Sequence, residues 1–203
     1  MQVENHKEEV PFEHYCEKFA ALDPAEAVQR LGVSFENGEF AVRLLGVTYF
    51  ISHPAYAIRA GGDGLALHSL PAQTFLLRYL LEGKRMPASQ EFKTFREMPW
   101  GELYIKPFTG RVLTRAAYAF GTRTQKFRKA AEALGGLPLR HGDAAYEFDF
   151  LNNYRLRLIV WEGDEEFPPN AQLLYSANFA EGFAAEDRVV AGDLLISSLK
   201  AAM

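Results

Sequence analysis

Asn37-Gly38 sits between two runs that alternate like strands, residues 33–36 and 39–44. That dipeptide supplies the two positive φ angles of a type I′ turn, so the flanking runs must pair antiparallel. A second hairpin is predicted from Tyr146 to Phe150, turning at Asn152-Asn153 and returning from Tyr154 to Trp161. Tyr146, Phe148 and Phe150 then share one face of the sheet. Further extended runs lie at 47–52, 56–59 and 173–175, the second following a break at Pro54.

Helical spacing separates these strands. Phe12, Tyr15, Cys16, Phe19 and Leu22 step by three and four, which draws one apolar helix face. Asp23-Pro24-Ala25-Glu26 then reads as a fresh start, with a capping carboxylate, proline in the first turn and glutamate three after the cap. Leu31-Gly32 closes that helix. Helices are also predicted over 69–81, 108–120, 122–134, 177–184 and 187–201, with Gly121 dividing the middle pair. Residues 84–107 read as mixed, with short extended pieces at 92–95 and 103–106, and residues 1–9 as a polar, frayed terminus. No repeat, low-complexity tract or linker divides the chain. Hairpins interspersed with helices imply a single α+β domain, residues 1–203, with an antiparallel sheet built from hairpins and flanked by helices.

Composition narrows the function classes. A chain of 203 residues with 48% hydrophobic and 24% charged side chains is long enough to bury a full core. The one cysteine, Cys16, excludes an intrachain disulfide and a protein-only thiolate cluster. No apolar run approaches about 18 residues and no basic-then-apolar leader is present, which points to a cytoplasmic protein outside the membrane. Phosphate-loop, dinucleotide and nucleophile-elbow patterns are missing. The histidines at 6, 14, 53, 68 and 141 never take the i, i+4 helix spacing of a zinc site. His14 and Cys16 point to different helix faces, and His53 and His68 read as caps or hydrogen-bonded surface groups. No metal ligand set and no cofactor is expected.

Two segments carry what chemistry there is. Trp161-Glu162-Gly163-Asp164-Glu165-Glu166-Phe167-Pro168-Pro169 follows the last residues of a strand and delivers four carboxylates into a proline-stiffened exit. Trp161 is expected to be its buried anchor. Asp164, Glu165 and Glu166 are consecutive, so an extended backbone points them apart and does not converge them on a metal. The loop reads instead as a solvated or partner-facing turn. The second segment, Leu103 to Ala131, holds Lys106, Arg111, Arg115, Arg123, Lys126, Arg128 and Lys129 and no acid. It carries +7 in a chain of net charge −4. Arg111 and Arg115, four apart, would form a bidentate clamp open to a carboxylate or phosphate, with Tyr104 nearby. Arg123 and Lys126 open the next helix, where backbone N–H groups also favour an anion. The alternative is that these cations neutralise the protein's own acids, the 162–166 loop among them. The negative remainder of the chain disfavours nucleic acid.

Phe95-Arg96-Glu97-Met98-Pro99-Trp100-Gly101-Glu102-Leu103-Tyr104, the Trp161–Pro169 string and Glu186-Asp187 resemble an uncharacterised prokaryotic family, domain of unknown function 3786. The resemblance implies an accessory domain, found mainly in anaerobic bacteria and archaea. Some members look fused to an iron–sulfur module of the kind that accompanies corrinoid-dependent one-carbon enzymes. With one cysteine this chain cannot hold such a cluster alone, and no catalytic residue carries over. The expected function is an accessory protein that binds an anionic small molecule or acidic protein partner through residues 104–129. The alternative is a small-substrate enzyme, with Asp164 or Glu166 as acid/base, its pKa raised beside Trp161 and Phe167, and Arg111 or Arg115 holding the substrate. The ligand's identity and the oligomeric state stay open.

Overall fold

A computed structural model describes residues 6–203 other than Asp63 and Ala66, with side chains from Pro11 onward. Residues 1–5 of the expected frayed terminus lie outside the described residues. The contacts fall into two compact units. One takes the chain up to Arg43 together with Val47–Arg85, and the other takes Leu44–Gly46 with Met86–Met203. Both units combine helices with antiparallel strands, which makes the protein α+β.

In the first unit, α1 (His6–Ala20) is followed by α2 (Pro24–Leu31). Asp23 caps α2 by accepting from the Ala25 N–H at 2.9 Å, and Gly32 ends it at φ 68°. The hairpin of β1 (Ser34–Glu36) and β2 (Glu39–Leu44) turns at Asn37 and Gly38, both at positive φ. It pairs Phe35 with Phe40, in the register the dipeptide dictates. β3 (Val47–Ser52) pairs with β4 (Ile58–Ala60), and α3 (Leu70–Glu82) completes the unit. Phe19, fully buried, packs edge-on against Tyr56 and His53, and the His53 Nε2 lies 3.0 Å from the Phe19 carbonyl. His53 is thus a hydrogen-bonded structural group.

The second unit is built on β6 (Leu137–Leu139), β7 (Ala144–Leu151), β8 (Tyr154–Trp161), β9 (Asn170–Ser176) and β5 (Phe92–Thr94), hydrogen-bonded in that order. Tyr146, Phe148 and Phe150 are buried on one face of β7, as their alternation requires. On the other face Glu147 is buried between Arg155 and Arg157, at 2.6 and 2.7 Å, and Arg157 stacks 3.6 Å from the Phe92 ring. Helical residues cover the sheet in sequence: α4 (Gly101–Phe108), a wide π-turn segment (Thr109–Thr114), α5 (Arg115–Phe120), α6 (Thr124–Ala133), α7 (Phe179–Gly182) and α8 (Ala185–Ala201).

Two local expectations need correction, and one strand was not expected. Residues 103–106 are helical in α4, not extended. The Leu-Tyr-Ile-Lys alternation imitates a strand, but Phe108 must stack on buried Phe95 at 4.2 Å, and a helix from Gly101 brings it there. The helix expected over 108–120 begins earlier and passes through the π segment, so Gly101–Phe120 is one continuous helical rod. Strand β6, which pairs Leu137 with Glu147, was not expected, since Pro138 lacks the N–H that a strand ladder uses.

Candidate functional site

The helical rod starts from a turn under constraint. Trp100 has a left-handed backbone, φ 62°, a conformation costly for a residue with a Cβ. Gly101 follows because nothing larger fits: a Cβ there would lie 2.1 Å from the Phe95 carbonyl oxygen. Upstream, one Glu97 oxygen accepts from both the Thr94 N–H and the Thr94 hydroxyl at 2.7 Å. The hydroxyl bond, then the backbone bond, hold the Glu97 carboxyl below its usual pKa. From beneath, Arg188 of α8 donates to the Pro99 carbonyl. Arg188 is 1% exposed, and its Nε and Nη1 have no hydrogen-bond partner among the described residues. Burial lowers its pKa from the ordinary arginine value, although a guanidinium starts so high that it stays charged.

This machinery holds apolar side chains in water. Trp100 is 70% exposed, Leu103 71% and Tyr104 38%, and Tyr118 farther along the rod is 60% exposed. Exposed apolar residues scattered singly need no explanation, whereas a cluster on a constrained turn is a candidate contact surface. Tyr104 was expected at the site; Trp100 and Leu103 were not. The signal available was Pro99-Trp100-Gly101, a tryptophan between the two residues that most often make turns.

The arginine clamp is closed. Asp193 of α8 accepts from Arg115, and Ser197, one turn on, takes the other Arg115 nitrogen at 3.1 Å. Arg111 lies 4.0 Å from the second Asp193 oxygen. The expectation that both guanidinium groups face solvent unpaired is therefore corrected: α8 carries the carboxylate they share, and only Arg111 stays largely exposed. At the start of α6 the anion position has an internal occupant too, since the Thr124 hydroxyl donates to Glu162. The side chains of Lys106, Arg123, Lys126 and Lys129 are exposed and have no carboxylate partner among the described residues.

The acidic loop differs from its expectation in two ways. Trp161 is partly exposed, short of the fully buried anchor expected. Asp164 is exposed and bound to its own turn: one oxygen accepts from the Phe167 N–H at 2.7 Å and the Glu166 N–H at 2.9 Å. Those bonds, Phe167's first, lower its pKa. The raised pKa required of an acid/base at this position is thus overturned for Asp164, since bonds to the ionised form favour it. Glu165 and Glu166 are exposed. Trp161, Glu162, Phe167, Pro168, Pro169 and Asn170 line a shallow groove of about 470 Å³. Among the described residues no group of three or more His, Cys, Asp or Glu could hold a metal ion, and no helix is long and apolar enough to cross a membrane.

An antiparallel α+β chain with exposed aromatic, basic and acidic faces defines a broad class of protein. Its family is narrower: the model of the domain of unknown function DUF3786 matches residues 23–198, and the chain belongs to that family. No curated protein and no solved structure matches it.

Proposed function

We propose that the protein is a non-catalytic cytoplasmic accessory protein that binds an acidic partner surface, or a small anion of like chemistry, through the exposed side of residues 104–129. The observation that carries this reading is the set of uncompensated cations, Lys106, Arg123, Lys126 and Lys129, in a segment that also exposes Tyr104 and Tyr118. Aromatic and basic side chains together give a docking face apolar contact area and electrostatic steering. Arg111 contributes at its edge, while Arg115 holds the rod to α8. An association with anaerobic corrinoid or iron–sulfur one-carbon metabolism rests on family resemblance alone.

Phosphate or citrate should raise the melting temperature beyond the effect of matched ionic strength, because a ligand bound only to the native state stabilises it by mass action. The triple reversal K106E/R123E/K126E should abolish that gain with the far-UV spectrum unchanged. An undiminished gain in the triple variant would place anion binding elsewhere. Reversing Arg115 is unsuitable as a test, since it strands Asp193.

A further inference from the structure

The exposed apolar turn and the acidic groove lie at opposite ends of one helical rod. Trp100 precedes Gly101–Phe120, and Gly121, just past its end, packs against the groove. A Cβ on Gly121 would lie 2.5 Å from Pro169 Cβ and 2.8 Å from the Trp161 carbonyl oxygen. A helical run of this length spans about 30 Å. The turn and the groove of one chain therefore cannot meet, but those of two chains can.

We propose that the protein self-associates head to tail, with Trp100 and Leu103 of one copy seated in the groove formed by Trp161, Phe167, Pro168 and Pro169 of the next. Shape supports the pairing. The donor is a projecting indole and isobutyl group, both about seven-tenths exposed. The acceptor is a ring-and-proline groove of about 470 Å³, within the roughly 300–1,000 Å³ of recognition pockets. Charge supports it as well. Lys106, three residues after Leu103, has no carboxylate partner among the described residues, and the nearer Glu102 is paired with Arg96 at 3.3 Å, while Glu165 and Glu166 flank the acceptor and have no cationic partner among them. Within one chain the basic segment meets the acidic loop where Gly121 packs on Pro169 and where the Thr124 hydroxyl donates to Glu162, and among the described residues none of its cations pairs with Glu165 or Glu166. The remaining opposite charges are left to pair between chains.

Both faces are fixed before contact. Gly101 and Arg188 hold the turn, and the Asp164 turn with Pro168-Pro169 holds the groove. Little ordering entropy is then lost on docking. One inserted turn buries less than the roughly 1,200 Å² of a tight complex, so the contact is weak and concentration-dependent. The two surfaces differ, so the contact is heterologous and propagates into rings or open chains. The proposal rests on the acidic-partner reading only for the sign of the charge beside Trp100.

Sedimentation velocity of the full chain should show a weight-average mass that rises with concentration and falls with salt. W100A should weaken association by about tenfold or more, and the groove variant F167A/E165K/E166K should do the same. Mixing these two variants should restore a one-to-one pair that grows no further, because each retains one intact face. Native chain that stays monomeric at every concentration overturns the proposal. So does native association that survives both variants, or variants that stay folded by circular dichroism yet fail to pair when mixed. If the groove variant does not fold, E165K/E166K, altered only at exposed side chains, takes its place with the same two outcomes. A monomeric native chain whose melting temperature still responds to citrate sinks self-association and spares the acidic-partner reading. Complementation without any citrate response does the reverse.

Discussion

The chain places its two tryptophans in opposite circumstances. Trp161 ends a central strand, half-covered, and the acidic residues after it are conspicuous in sequence. Trp100 stands 70% exposed on a left-handed turn held by a buried arginine and a glycine with no room for a methyl group. In the loop, Asp164 serves its own backbone and Glu162 serves Thr124, so much of the conspicuous charge is local structure. In the turn, backbone strain and two buried nitrogens with no hydrogen-bond partner among the described residues accompany an indole left in water. Strain kept without a stability benefit is the better pointer to function.

The largest effect that could break this contrast is at Gly101. G101A forces a Cβ to within 2.1 Å of the Phe95 oxygen and 2.9 Å of the Arg96 Cα, both backbone atoms that cannot swing away. We expect a loss of at least about 3 kcal/mol in urea denaturation; a loss under 1 kcal/mol would mean that the turn is not held as described. W161A should cost less, about 1–2 kcal/mol, because the ring is only half-buried and leaves no closed cavity. A measured cost above 3 kcal/mol would restore Trp161 as a core anchor and remove the contrast.

Asp164 gives a smaller, pH-dependent effect. Its folded pKa is depressed below 3.8 by the Phe167 and Glu166 N–H groups. A depressed carboxylate contributes stability that is present above the unfolded pKa and lost as pH falls through the folded one. D164A should therefore melt lower than the native chain at pH 7, and the gap should narrow below the unfolded aspartate's pKa and close below the lowered folded one. A gap independent of pH would assign the effect to the alanine's backbone preference, not to the carboxylate.

Most of the fold was legible because it rests on local chemistry. Asn37-Gly38 sets one hairpin, Asp23 and Gly32 bracket α2, and the Tyr146–Phe148–Phe150 alternation sets the buried face of β7. Helix α4 was not legible, since its placement depends on Phe108 reaching Phe95. The division of contacts into two compact units was not legible either, because the boundary at Arg43/Leu44 falls inside strand β2 with no change in composition. At the site, sequence found the charges and missed their partners. Asp193 and Ser197 lie about eighty positions from Arg115, on a helix whose buried residues dominate its pattern. Arg188 looked like one more surface cation, and nothing in its neighbours announces that it is 1% exposed.

The smallest effect is the sharpest test. If Trp100 is held out for a partner, removing its side chain should leave the monomer's stability unchanged, within about 0.5 kcal/mol for W100A. W100G should do better than neutral. A residue with a Cβ costs about 1–2 kcal/mol in the left-handed region, and glycine relieves that while losing roughly 0.5–1 kcal/mol to chain entropy. The net expectation is a gain of up to about 1 kcal/mol, read from denaturation at a concentration where the chain is monomeric. A clear loss in both variants would show that the indole packs on its own fold. The strained turn would then be a structural joint, and Trp100 would join Trp161 as a tryptophan that works for stability.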